Sequence, residues 1–174
     1  MSSGKTLFHH RWAVPVLAEL HARRGARFVE LRSALRIPRD SLARTLAALG
    51  EAGLVARNPG HGHPLRPEYV LTPQGERVAA ACARLLAELD GLQEVALRKW
   101  SMPVVRALSG SRLRFSELRE ALHGVTSRAL ALTLKDLQGA GLVERTVIAD
   151  YPPATVYELT ASAARMARVL RGFP

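Results

Sequence analysis

Arginine carries most of the chemistry this sequence could do. The chain has 25 basic residues against 15 acidic ones, a formal net charge of +10 over 174 residues, and lysine occurs only as Lys5, Lys99 and Lys135. A guanidinium holds a phosphate, a carboxylate or a base edge through two parallel hydrogen bonds, so this balance suits a polyanionic partner. Spacing singles out two sets of polar residues. Arg39, Ser41, Arg44 and Thr45 are interleaved with Leu42, Leu46 and Leu49; Ser127, Arg128, Thr133 and Lys135 are interleaved with Leu130, Leu134 and Leu137. Leucines at i, i+4 and i+7 form one stripe of a helix, and the polar residues between them then make a bare outward face. Arg57, Arg66 and Arg145 lie in stretches that read as strands and add cations of their own.

Other reactive side chains give weaker patterns. His9, His10, His61 and His63 are metal ligands by type, but no cysteine stands beside them. Gly60, Gly62 and Pro64 moreover mark His61 and His63 as part of a hairpin tip, so no metal is expected. Cys82 falls on the apolar stripe of a helix and reads as core. As the single cysteine it excludes an intrachain disulfide and fits a reducing compartment. Trp12 and Trp100 read as anchors of a first helix; as paired aromatics they could also line an apolar pocket for a small-molecule effector. There is no glycine-rich phosphate loop, no metal-ligand cluster and no nucleophile elbow, so neither an enzyme nor a cofactor is expected. The stretch MSSGKTLFHHRW lacks the apolar core of a signal peptide, and no run approaches the roughly 18 apolar residues of a membrane span. A soluble cytoplasmic protein, associated with the nucleoid if its partner is DNA, is the expectation.

The elements that must position these residues occur twice. Arg11-Trp12 is echoed by Lys99-Trp100, and RFVELRSAL at Arg27 to Leu35 by RFSELREAL at Arg114 to Leu122. Gly53-Leu54-Val55 is echoed by Gly141-Leu142-Val143, and Tyr69, Leu71 and Thr72 by Tyr157, Leu159 and Thr160. Repeat 1 has an extra residue before its RF motif and repeat 2 one near Gly124; both adjustments fall in loops. Such self-similarity is the mark of duplication.

Each copy reads as a helix (Val14, Leu17 and Leu20, or Val104, Val105 and Leu108), the RF helix, a turn and a second amphipathic helix. A β-hairpin follows. In copy 1 its tip is placed at Asn58 to Pro67, and Tyr69 and Leu71 return on one face of the second strand. Thr72-Pro73 then opens another helix, with Thr72 as N-cap, and Thr160 opens the last one. Asp90-Gly91 interrupts the helical linker, so the boundary is placed near residue 90, giving domains of 1–90 and 91–174. The fold class expected is mainly α with small β-hairpin wings, α+β: tandem winged helix-turn-helix domains arranged as a pseudo-dimer.

Once helix, turn, helix and wing are recognised, the chain resembles the HxlR-type winged-helix regulators, relatives of the MarR-like group. The resemblance is carried by Lys99-Trp100, the RFSEL run, GLVERTV from Gly141 to Val147, and Pro152-Pro153 leading to Tyr157-Glu158-Leu159-Thr160. It implies a domain that usually homodimerises on a near-palindromic operator; some relatives sense electrophiles through an N-terminal cysteine. Three departures stand out. Two copies share one chain. No cysteine precedes Trp12, and Cys82 follows the first wing, so thiol sensing is not expected. The reading faces have also diverged: Leu132 replaces Arg44, the second wing carries Asp150 and Tyr151, and Ala154-Thr155 stand where the resemblance implies an arginine.

These features lead to a sequence-specific regulator of transcription that binds double-stranded DNA. Its expected contacts are Arg39, Ser41, Arg44, Thr45, Arg57, Arg66, Ser127, Arg128, Thr133, Lys135 and Arg145. The chain would act as a monomeric pseudo-dimer or as a homodimer, with the first copy the stronger reader. The alternative is a winged-helix scaffold for a small molecule or protein, with weakened DNA binding.

Overall fold

The computed structural model describes residues 7–8, 10–61, 66–89, 91–149 and 153–171. After Ala87 the chain divides into two compact units. In the first, α1 (Ala13–Arg23) buries Val14, Val16, Leu17 and Leu20. Arg24 closes it in the left-handed region, φ 59°, with its N–H bonded to the Leu20 carbonyl. The short β1 (Ala26–Arg27) leads into α2 (Phe28–Leu35), which buries Leu31. Arg36 (φ 51°), buried Ile37 and Pro38 make the turn into α3 (Arg39–Glu51). Leu42, Leu46 and Leu49 of α3 are buried, as their spacing requires.

The strands β2 (Val55–His61) and β3 (Arg66–Leu71) form the wing. With β1 they make a three-stranded antiparallel sheet in the order β1-β3-β2, Ala26 facing Tyr69 and Arg57 facing Tyr69 from the other side. The hairpin is longer than its turn-forming composition predicts. Asn58, Pro59, Gly60 and His61 continue β2, and a register shift between Asn58 and His61 absorbs the irregular residues. The helix α4 (Pro73–Glu88) then buries Val78, Cys82 and Leu85.

The second unit repeats the order with small changes. A single turn, α5 (Gln93–Ala96), precedes α6 (Ser101–Ala107), which buries Met102, Val104 and Val105. Ser101 is fully buried, and its hydroxyl donates to the Val95 carbonyl at 2.7 Å. Then come β4 (Leu113–Arg114), α7 (Phe115–Ala121), α8 (Ser127–Gly139), β5 (Val143–Ile148), β6 (Ala154–Leu159) and α9 (Ala161–Arg171). The sheet order is β4-β6-β5, again antiparallel, and Arg145 faces Tyr157 as Arg57 faces Tyr69. The turn between the paired helices differs. Its positive φ falls on Gly124, at 88°, where the first unit uses Arg36. The extra residue thus moves the left-handed position onto glycine, which adopts it without a Cβ clash.

Where wing meets following helix, both units use one device. The Thr72 hydroxyl donates to the Gly53 carbonyl at 2.7 Å and accepts from the Gly75 N–H at 3.0 Å. Thr160 does the same with Gly141 at 2.8 Å and Ala163 at 3.3 Å. One hydroxyl therefore caps a helix and holds the base of a hairpin. Gly75 permits close approach in the first unit, since a Cβ there would stand 1.9 Å from the Leu54 carbonyl oxygen.

Candidate nucleic-acid interface

The second helix of each pair, α3 or α8, is pinned by its leucines and bare on the other side. On α3 the exposed residues are Arg39, Asp40, Ala43, Arg44, Ala47, Gly50 and Glu51, with Ser41 and Ala48 half-buried. On α8 they are Ser127, Arg128, Ala131, Leu132, Lys135, Gln138 and Gly139. Both helices therefore present a rigid polar face around a small alanine, a shape that can approach the edges of bases. Arg57 and Arg145 are exposed on the wings, where a cation can meet phosphate. The Arg66 side chain lies outside the described residues, as do Asp150 and Tyr151.

Two expected contacts are displaced. Thr45 is 2% exposed, and its hydroxyl donates to the Ser41 carbonyl at 2.8 Å. Thr133 is half-buried and donates to the Ala129 carbonyl, also at 2.8 Å. A helical threonine satisfies its hydroxyl on the carbonyl one turn back, which turns the side chain toward the core. Thr45 is off the outward face, and Thr133 is half-buried beside it.

The first unit supplies cations that helix periodicity on α3 alone does not reveal. Arg27, Arg32, Arg39 and Arg57 surround an open groove of about 730 Å³ between α2, α3 and the wing, with Phe28, Val29, Ala43, Pro67 and Tyr69. Arg32 is exposed, and its counterpart Arg119 donates from α7 to the Ser127 hydroxyl at 3.5 Å. The signal for both is the shared fourth residue after the RF pair, a basic position in RFVELRSAL and RFSELREAL. Arg27 is less available than its place suggests. Its guanidinium is paired with Glu30, whose carboxylate also accepts the Arg27 backbone N–H at 2.7 Å. That guanidinium, and then that N–H, hold the Glu30 pKa down at about 2. Glu117 accepts from the Arg114 N–H in the same manner at 2.6 Å.

The two faces differ in how their charges are arranged. The α3 face has Arg39 and Arg44 with Asp40 between them; the α8 face has Arg128 and Lys135 and carries no exposed acid. Asp136, half-buried at the next position, is paired with Arg98. That ion pair ties α8 to the segment preceding α6, whereas Ala48 stands at the equivalent place in α3.

The remaining candidates sit apart from this face. Trp12 and Trp100 are half-buried before α1 and α6, with Arg11 and Lys99 over their rings at 5.2 and 5.3 Å. A planar ligand stacking on either indole would have to use its other face. Cys82 is fully buried, and burial pushes its thiol up to about 12, so it stays protonated and shielded. Among the described residues no group of three His, Cys, Asp or Glu side chains could hold a metal ion. His9, His63 and the His61 side chain lie outside those residues. No described helix is long and apolar enough to cross a membrane.

A helix-turn-helix with a wing, present twice, defines the class. The chain belongs to the HxlR-like helix-turn-helix family, which matches it over residues 7–92 and again over 95–173. Similar proteins include an uncharacterised HTH-type transcriptional regulator of Methanothermobacter thermautotrophicus, 39% identical over 62 residues, covering 36% of this chain and 47% of that protein. The HTH-type transcriptional regulator YvaP of Bacillus subtilis, also uncharacterised, is 33% identical over 89 residues, 51% of this chain and 79% of YvaP. Among solved structures, the reduced form of the transcriptional regulator YodB from B. subtilis aligns with TM-score 0.45 and 24% identity, over 48% of this chain and 82% of YodB. The chain spans about half the length of the first curated relatives it matches.

Proposed function

We propose that this protein is a transcriptional regulator that binds double-stranded DNA sequence-specifically, one chain supplying both reading heads as a pseudo-dimer. The heads are residues 1–90 and 91–174. The observation that carries this reading is the pair of helices α3 and α8, each buried along its leucines and bare and cationic on its outward side. Each lies in a major groove, where every base pair displays a distinct set of donors and acceptors. Arg39, Ser41 and Arg44 read one half-site, Ser127, Arg128 and Lys135 the other, and Arg57 and Arg145 hold phosphates beside them. Tethering makes the second contact intramolecular, so binding does not wait on dimerisation. The half-sites lie about one helical turn, roughly 34 Å, apart and are imperfectly related because the heads differ. As a regulator of this kind it works in the cytoplasm.

Selection of bound duplexes from a random pool, followed by affinity measurement across a salt series, tests the reading. Each neutralised phosphate contributes about −0.9 to the slope of log K against log salt, so Arg57 and Arg145 alone give about −2. An enriched bipartite sequence bound with at least that slope is expected. No enrichment, or an affinity indifferent to salt, overturns the proposal.

A further inference from the structure

Leu132 is 53% exposed in the middle of the outward face of α8. A lone surface leucine is ordinary. This one occupies the position that Arg44 holds on α3, with Arg128 one turn before it and Lys135 one turn after it, both exposed. Its neighbour Ala131 is exposed and small, leaving the side chain of Leu132 to reach farther than the surface beside it. A phosphate backbone drawn in by Arg128, Lys135 and the wing residue Arg145 would bring base edges against an apolar group that can neither donate nor accept a hydrogen bond. In the major groove one base offers such a group a partner: thymine, through its 5-methyl.

We propose that Leu132 reads the methyl group of a thymine in the half-site bound by the second unit. The inference rests on the DNA-binding reading above and adds the chemistry of the second half-site. Replacement of Arg44 by leucine at this position is then a change of base preference and not a loss of contact. The arginine fork suits guanine, which presents two acceptors, and the leucine suits thymine. One chain thereby carries two heads whose half-sites cannot be exchanged, which fixes the orientation of the protein on its site.

The test uses the full chain and the duplex recovered by selection from a random pool. Thymines are replaced singly by deoxyuridine, which removes only the methyl and preserves pairing. The expected result is a loss of about fourfold at a thymine in one half-site, the effect of one buried methyl group. Leu132→Ala should bind the parent duplex about as weakly as the wild type binds that uracil duplex, and should not respond to the same replacement. Leu132→Arg should move selection at that base pair toward guanine. The exposed site and the good helix propensity of alanine keep the variant folded, which circular dichroism checks. If wild type and Leu132→Ala respond alike to every deoxyuridine while both bind the duplex with a steep salt slope, the inference is wrong and the DNA-binding reading stands. If no duplex is enriched at all, both fall.

Discussion

Arg44 and Leu132 stand on the same turn of the same helix in two copies of one domain, one a fork of donors and the other a branched hydrocarbon. Arg44 makes only a long 3.3 Å contact back to the Asp40 carbonyl, so little holds it from a base. Arg44→Ala should weaken binding to the selected duplex by about 1–3 kcal/mol and relax the choice of base at one position. Arg168→Ala, exposed on α9, should leave specific affinity nearly unchanged. Fluorescence anisotropy on that duplex compares them, and equal losses would argue for undirected charge. The sequence made the exposed placement of Arg39, Arg44, Arg128 and Lys135 legible because leucine periodicity fixes which way a helix faces. It misplaced Thr45, which is buried, since a threonine satisfied by its own helix looks in sequence like one offered to a ligand.

At the scale of elements, duplication exposed the plan: every helix and wing strand of the first unit has a counterpart, and the shared Thr72 and Thr160 caps follow from it. Less legible were features that depend on pairing partners. The first wing runs through Asn58 to His61 although its residues favour turns, because a bulge lets the ladder continue. The capping box at the start of α2 also carries a pH dependence. Glu30 titrates near 2 in the folded chain against an ordinary 4.5, so the unfolded chain takes up its proton first. Its contribution is complete above pH 4.5 and is lost as pH falls from there toward 2. Glu30→Gln should destabilise the first unit at neutral pH, and the gap from wild type should narrow across that window; a constant gap in denaturant melts would refute this role. Gly75→Ala tests the wing-to-helix joint. Although Ala163 fills the equivalent place in the second unit, a Cβ at 75 meets the Leu54 carbonyl at 1.9 Å, and a cost of about 1–3 kcal/mol in the first unit's melt is expected. An unchanged melt would show that α4 moves aside freely.

For the whole molecule, two copies in one chain free each reading face from the symmetry that two identical subunits impose. A homodimer must read the same sequence twice; this chain can carry Arg39 and Arg44 on one face and Arg128, Leu132 and Lys135 on the other. In the proposed pseudo-dimer, covalent linkage would fix the ratio of heads, so occupancy of the full site would rise with the first power of protein concentration. In the proposed complex the net charge of +10 would supply the long-range attraction, and the differing faces would supply direction. The duplication and the divergence were both readable from residue types. How fully Arg128, Leu132 and Lys135 are exposed together was not, because it depends on the folded environment, as does the pairing of Asp136 with Arg98. The most direct test of the account is the mass of the complex formed with the selected duplex, measured by light scattering after size exclusion. One chain per duplex, spanning two unlike half-sites, is the predicted result; two chains on two identical half-sites would contradict it.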